Sequence, residues 1–315
     1  MGKGGLLLVA FIILIALLLA SSFIFTGGKE AKVVVGTIQG GISTLDLIKE
    51  EELKEAGISM DVRYFTKTLD LANAFARGDV DIAIIPAELV GKLKEQGEEV
   101  YIIAVDMFQN QAVVGLPDIE GIDDLKGRRI GVFIPTGTFS MFKSYLKELY
   151  GIEVEELNLV NSPPPQLLEA YSRGEVDAVV LWEPFVSKLI VEEGASMILS
   201  YEGMWKAWTG EDSYGVMIVW AANGKALEKP LGPLSEIRKK ASKRWGSEWA
   251  KDTLSEKYML SEEVTELMMS RVKIWGGDLT DDLKENIRKV WTLAWLGGYL
   301  EEDPSVIGEE VFLAP

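Results

Sequence analysis

The sequence predicts an α/β protein of two similar lobes, each a parallel or mixed sheet flanked by helices, joined at a hinge of two crossing strands. Three observations carry this. First, "AFARGDVDIAIIPAEL" (74–89) returns as "AYSRGEVDAVVLWEPF" (170–185), with Ala, an aromatic, Arg, Gly, an acid, Val and Asp in register at an offset of 96 residues. Second, each copy closes a strand–helix–strand–helix–strand succession, the pattern of parallel strands with right-handed crossovers. Third, two strand-like stretches, within 101–127 and at 213–223, join the halves and predict a hinge.

In the first lobe, Lys32–Gly36 is a short β-branched run followed by a Gly-rich loop. Ser43 with Asp46 three residues on reads as a capping box, opening a helix that Gly57 closes. Residues 59–65 alternate as a strand, "TLDLANAFARG" is an amphipathic helix stopped by Gly78, and "VDIAIIP" is a buried strand. The second lobe repeats the order. "RRIGVFIP" (128–135) is a strand and "MFKSYLKELYG" a helix ended by Gly151. "VEELNLVN" is a strand, "PPPQLLEAYSRG" a helix and "VDAVVLW" a buried strand.

From about 231 the pattern turns helical. "PLSEIRKKASKRWGSEWAKD" reads as one helix, Thr253–Glu256 as a further capping box, and Trp245, Trp249, Trp275, Trp291 and Trp295 as the packing between helices. The expected organisation is 1–30 as membrane anchor or signal segment plus tether, 31–112 as the first part of lobe one, 113–213 as lobe two, and 214–315 as the return crossing and C-terminal helices of lobe one.

Residues 6–25 form an uncharged apolar run of twenty, which as a helix spans roughly 30 Å, one bilayer core. Lys3 precedes it and favours an inside N-terminus with the body outside. A cleaved signal peptide ending near Ala20-Ser21-Ser22 is the rival reading, and either way the body is exported.

Composition narrows the chemistry. The chain of 315 residues is 48% hydrophobic, enough for packed cores, and its net charge of −17 opposes nucleic-acid backbones. With no Cys and no His, disulfides, thiolate or His-ligated metals, Cys nucleophiles and Ser-His-Asp chemistry are all closed. No metal site and no cofactor are expected. There is no Walker A pattern, so the chain is not its own ATPase. Only eleven residues are Asn or Gln, against plentiful Glu and Lys, which fits a heat-adapted source.

Parallel sheets receive ligands outside the carboxyl ends of their strands. Those ends carry Thr37, Gln39 and Gly40, then Pro86 and Ala87, in lobe one, and Thr136, Gly137, Thr138 and Phe139, then Trp182 and Glu183, in lobe two. Two of the loops feed helix N-termini, where free N–H groups and the dipole favour anions. Each feature has a plainer use. Gly40-Gly41 also suits an ordinary turn, Thr136 or Thr138 a helix cap, Trp182 core filling, and Glu183 a structural hydrogen bond. Trp205, Trp208 and Tyr214 flank the second crossing and are further candidates for the cleft wall.

"DDLKGRRIGVFIPTGTFSMFKSYL" (123–146) followed by "GEVDAVVLWEPF" (174–185) resembles the solute-binding proteins of ABC importers of the nitrate/sulfonate/taurine/bicarbonate family, which includes binders of a thiamine pyrimidine precursor. The resemblance covers about 32–315. It implies a two-lobed periplasmic-binding-protein fold of type II, closure on a small polar solute, and delivery to a membrane permease driven by a separate ATPase. Thr136, Gly137, Thr138, Trp182 and Glu183 carry over as ligand contacts, and no catalytic residue is implied. Fungal pyrimidine-synthesis enzymes similar in fold depend on His and Cys, which this chain lacks. The absent His also tilts the expected ligand from nitrate toward a sulfonate-like anion or a small heteroaromatic. Two other classes stay open: a membrane-anchored ligand sensor, and an exported enzyme using Glu183 or Glu88.

Overall fold

The computed structural model describes residues 30–314. The apolar run 6–25 lies outside the described residues, and among the latter no helix is long and apolar enough to cross a membrane. In chain order the elements are β1 (Ala31–Ile38), α1 (Glu50–Glu55), β2 (Ile58–Phe65), α2 (Thr68–Arg77), β3 (Ile82–Pro86), α3 (Ala87–Glu95), β4 (Val100–Phe108), β5 (Ala112–Gly115), β6 (Arg129–Val132), α4 (Gly137–Tyr150), β7 (Asn158–Asn161), α5 (Pro164–Ser172), β8 (Ala178–Leu181), α6 (Phe185–Glu193), β9 (Ser196–Ser200), α7 (Tyr201–Thr209), β10 (Val216–Asn223), α8 (Leu231–Ser242), α9 (Glu248–Tyr258), α10 (Glu262–Arg271) and α11 (Asp281–Leu296).

They build two five-stranded mixed sheets, ordered β2-β1-β3-β10-β4 and β7-β6-β8-β5-β9. β1 runs parallel to β2 and β3, and β6 to β7 and β8, while β10 and β5 run antiparallel to both of their neighbours. The crossings supply those antiparallel strands: β5 follows β4 directly into the fourth place of the second sheet, and β10 returns to the same place in the first. The repeated motif has a concrete use in both lobes. Gly78 and Gly174 take left-handed φ values of 79° and 67° to end α2 and close the tip after α5. The Asp that follows then ties the next strand to the sheet: the Asp81 carboxylate accepts from the Val34 N–H (2.8 Å), and Asp177 from the Arg129 N–H (2.8 Å). Asp177 also pairs with the Arg129 guanidinium, which holds its carboxyl below the usual range.

The lobes are joined by more than the two crossings. The crossings bond to each other, Gln109 N–H to the Gly215 carbonyl at 2.7 Å. Helix α4 of lobe two packs on α11 of lobe one, where Ser144 and Ser140 hydroxyls donate to the Leu293 (2.6 Å) and Ala294 (3.1 Å) carbonyls. Phe142, Tyr145, Ile287, Val290 and Trp291 lie in one apolar cluster with residues of both sheets. An interface of that kind restrains relative motion more than two strands alone.

Four local expectations are corrected. The segment after Ser43 is a 3₁₀ turn (Thr44–Leu47) and a separate short α1, because Ile48 adopts extended backbone with ψ 133°. Residues 231–258 form two helices, α8 and α9, broken around Gly246 at φ 86°. Thr253 is not a cap: it lies inside α9 and donates to the Trp249 carbonyl, while Ser247 caps that helix. Of the five tryptophans assigned to helix packing, Trp291 is buried, but Trp249 and Trp295 are exposed at 40% and 37%, and Lys49 lies over the Trp249 ring.

Candidate functional site

A cavity of about 110 Å³ lies between the two sheets. It sits where strands end, as the topology requires. Thr37 and Ile38 come from β1, Ile84 and Pro86 from β3, Met107 from β4, and Trp182 and Glu183 from the turn after β8. Pro135, Thr136, Gly137 and Thr138 bring the N-terminus of α4 into it, and Met217 and Ile218 enter from β10.

Of the eleven residues expected at the site, seven line the cavity: Thr37, Pro86, Thr136, Gly137, Thr138, Trp182 and Glu183. The other four do not. Gln39 is exposed on the turn after β1, and Gly40 serves that turn with φ 81°, so Gly41 rather than Gly40 reaches the wall. Ala87 is buried, its carbonyl taken by the Trp291 indole N–H at 2.8 Å, and Phe139 packs against the apolar cluster. Trp205 is fully buried and donates to Ser213 at 3.1 Å, with Trp208 packed on it. Tyr214 faces Phe108 and lines a separate depression with Trp275.

The plainer uses are present too. Thr136 is the N-cap of α4: its hydroxyl accepts from the Phe139 N–H (3.3 Å) and donates to the Phe133 carbonyl (2.6 Å). The first-turn N–H groups of Gly137 and Thr138 have no partner one turn earlier in the helix, so α4 presents donors at the cavity. The Thr138 carbonyl accepts from the buried Tyr201 hydroxyl at 2.6 Å, which steadies that turn.

Glu183 is the clearest departure. Its carboxylate is buried and already engaged: Oε1 takes the Arg271 Nε–H from the end of α10, and Oε2 takes the Ser187 N–H at 3.1 Å. Its own N–H donates to Asn110 Oδ1 at 3.2 Å, beside the first crossing. Glu183 lines the cavity, but the plainer expectation of a structural hydrogen bond is met as well, by Arg271, whose side chain arrives from 88 residues away. The ion pair ties the C-terminal helices of lobe one to the Trp182-Glu183-Pro184 turn of lobe two.

Glu88 is the second carboxyl at the cavity. It stands in the first turn of α3 and is 3% exposed, and its Oε2 has no hydrogen-bond partner. It lies directly against Gly137 across the cavity, so close that any Cβ at 137 would collide with its carboxyl. Gly137 is thus required by close approach and not by backbone conformation. Burial pushes the Glu88 carboxyl up to about 7. Sequence reasoning named Glu88 as a candidate residue of an exported enzyme but not among the ligand contacts. Asn110, Met107, Met217, Ile218 and Tyr299 were missed as well, and Tyr299 arrives from the loop after α11 with no local signal.

The family described as NMT1/THI5 like matches residues 53–199. The taurine-binding periplasmic protein of Escherichia coli (strain K12) is 32% identical over 181 residues, which cover 56% of this chain and 53% of that protein. The chain thus spans about half the length of that relative in the match. Among solved structures, the alkanesulfonate-binding protein SsuA from Xanthomonas axonopodis pv. citri bound to MOPS superposes with a TM-score of 0.74 at 15% identity, covering 92% of this chain and all of that one. The periplasmic nitrate-binding protein NrtA from Synechocystis PCC 6803 gives 0.67 at 16% identity, over 90% of this chain and 86% of that one. The chain carries an NMT1/THI5-like segment, spanning lobe two and part of lobe one, within the two-lobed fold of the periplasmic binding proteins.

Proposed function

We propose that the protein is an extracytoplasmic solute-binding protein that holds a small polar solute between its lobes and delivers it to an ABC permease with its own ATPase subunit. The carrying observation is the cavity walled by strand ends from both sheets, with the α4 N-terminus opening into it. The names of the similar proteins, binders of taurine, alkanesulfonate and nitrate, support this reading. The uncharged run at 6–25 supports placement of the body outside the membrane, held by that segment or released from it. Binding without turnover fits Glu183, whose carboxylate is held by Arg271 and Ser187 rather than offered to a reacting atom. A heat-adapted source is supported by composition and by surface ion-pair networks, such as Lys251 gathering Glu248, Glu262 and Glu266.

A small anion of the sulfonate, nitrate or bicarbonate kind is the first ligand class, met by the N–H groups of α4. One observation favours a heteroaromatic as second reading: Trp182, Ile42, Ile84, Met107 and Ile218 make the wall largely apolar, and among the described residues none that lines the cavity is Lys or Arg.

The test is thermal unfolding of the purified full chain with sulfonates, nitrate, bicarbonate and aminopyrimidines. A true ligand at a hundred times its Kd adds about 2.7 kcal/mol, and a flat response across all of them would overturn the reading. Trp182 is half-buried and meets Phe185 edge-on at 5.9 Å. Trp182→Ala is expected to weaken binding roughly 10-fold or more while costing about 2 kcal/mol or less in folding, because a half-buried ring leaves a smaller cavity than a buried one. Calorimetric titration beside denaturant unfolding separates the two effects. Loss of folding with intact affinity in the folded fraction would make Trp182 a core residue.

A further inference from the structure

Glu88 is a buried acid whose surroundings serve no evident structural purpose. Its companion in the cavity, Glu183, has a guanidinium and a backbone N–H. Glu88 has no guanidinium and only its own backbone N–H: Oε2 is unpartnered, and no ion pair involving Glu88 exists among the described residues. An unpartnered buried carboxyl is costly and persists where function retains it. Its position is also specific. It stands in the first turn of α3 and lies against Gly137 at the N-terminus of α4, so it sits where the two lobes meet at the cavity, with its own backbone N–H beside it. That N–H favours the ionised form, while burial opposes it more strongly. The missing component is a proton donor from within the cavity.

We propose that Glu88 accepts a nitrogen-bound proton of the ligand, an ammonium or exocyclic amine, and that this selects amine-bearing solutes over plain anions of the same size. The inference rests on the solute-binding reading and narrows its ligand class. It also accounts for the lack of a cationic side chain at the wall. A ligand bearing its own positive or proton-donating end neutralises Glu88, and any anionic end it carries is left to the backbone donors of α4. Nitrate brings no such group and bicarbonate only a hydroxyl, and neither brings a nitrogen-bound proton or a positive charge, so next to Glu88 both would place negative charge beside a carboxyl.

Matched pairs test this on the wild-type full chain. Aminoethanesulfonate is compared with hydroxyethanesulfonate and ethanesulfonate, and 4-aminopyrimidine with 4-methylpyrimidine, by calorimetric titration at pH 8. The amine member of one pair is expected to bind at least about 10-fold tighter than its partner, the size of a hydrogen bond to a charged group. The pair that responds tells an ammonium from an aromatic amine. Glu88→Gln should lower affinity for the amine member by about 10-fold or more and abolish its preference over the amine-free partner, which loses a neighbouring negative charge and binds no worse. Amine-free partners binding as tightly as the amines, or a Glu88→Gln protein that keeps the preference, overturns the assignment while the solute-binding reading stands. Silence toward both pairs, with binding of nitrate or bicarbonate, overturns it likewise. Silence toward every probe removes the binding reading and this inference with it. The wild-type comparison needs no variant to fold.

Discussion

Replacing Glu88 by Gln is expected to make the ligand-free protein more stable at pH 8 and no more stable at pH 4. Burial raises the Glu88 carboxyl from its ordinary value of 4.5 to about 7. A raised acid favours folding while it is protonated: that contribution is complete below about pH 4.5 and is lost as pH rises through about 7. The shift corresponds to about 3 kcal/mol. The hydrogen bond from the Glu88 backbone N–H works the other way and offsets only part of the burial cost. The groups facing Glu88 do not titrate in this window. Tyr201 and Tyr299 are themselves pushed up by burial and by the Glu88 charge, and Gly137 carries no side chain. Asp106, also raised by burial, is present in both proteins and cancels in the difference. Denaturant unfolding of both proteins at half-unit steps from pH 4 to 8.5 measures the effect. Parallel curves would mean that Glu88 ionises at its ordinary value, with solvent reaching it.

Arg271→Ala is expected to cost about 3–5 kcal/mol of folding stability, the usual result of removing one partner from a buried ion pair. The asymmetry of the pair sets the direction. The Glu183 side chain is fully buried, whereas that of Arg271 is 14% exposed. Without Arg271 the buried carboxylate keeps only the Ser187 N–H. Without the carboxylate, Arg271 can turn outward along its stem. Glu183→Gln should therefore cost clearly less than Arg271→Ala, and the double replacement by apolar residues of similar size should recover much of the loss. Denaturant titration of the three variants decides. If Arg271→Ala were within about 0.5 kcal/mol of wild type, the pair would be a surface contact in effect. The same variant should loosen the Trp182–Pro184 turn, since Arg271 is its tie to the C-terminal helices.

Much of the architecture was legible because its signals are local. Gly78 and Gly174 stop helices through their own φ, and Asp81 and Asp177 reach only the adjacent strand, so a sixteen-residue pattern seen twice was enough to infer two lobes. The strand-end loops were equally readable: Thr37, Pro86, Thr136 to Thr138, Trp182 and Glu183 lie at the carboxyl ends of strands whatever the rest of the chain does. What went astray was also local, but balanced. The breaks at Ile48 and Gly246 pit helix-forming sequence against backbone geometry set by packing, and Thr253 met the capping pattern inside a helix.

The amino-acid sequence by itself determined the α/β class, the doubling of the lobe, the two crossings and the loops that face the cleft, because period, stop residues and strand ends act over a few residues. Only the tertiary structure decided what the two acids at the cavity do. Arg271 comes from 88 positions away to neutralise Glu183, and Gly137 from the other lobe closes on Glu88 without offering a side chain. Charge compensation in a buried site depends on which groups folding brings within about 4 Å, and no spacing along the chain encodes that distance.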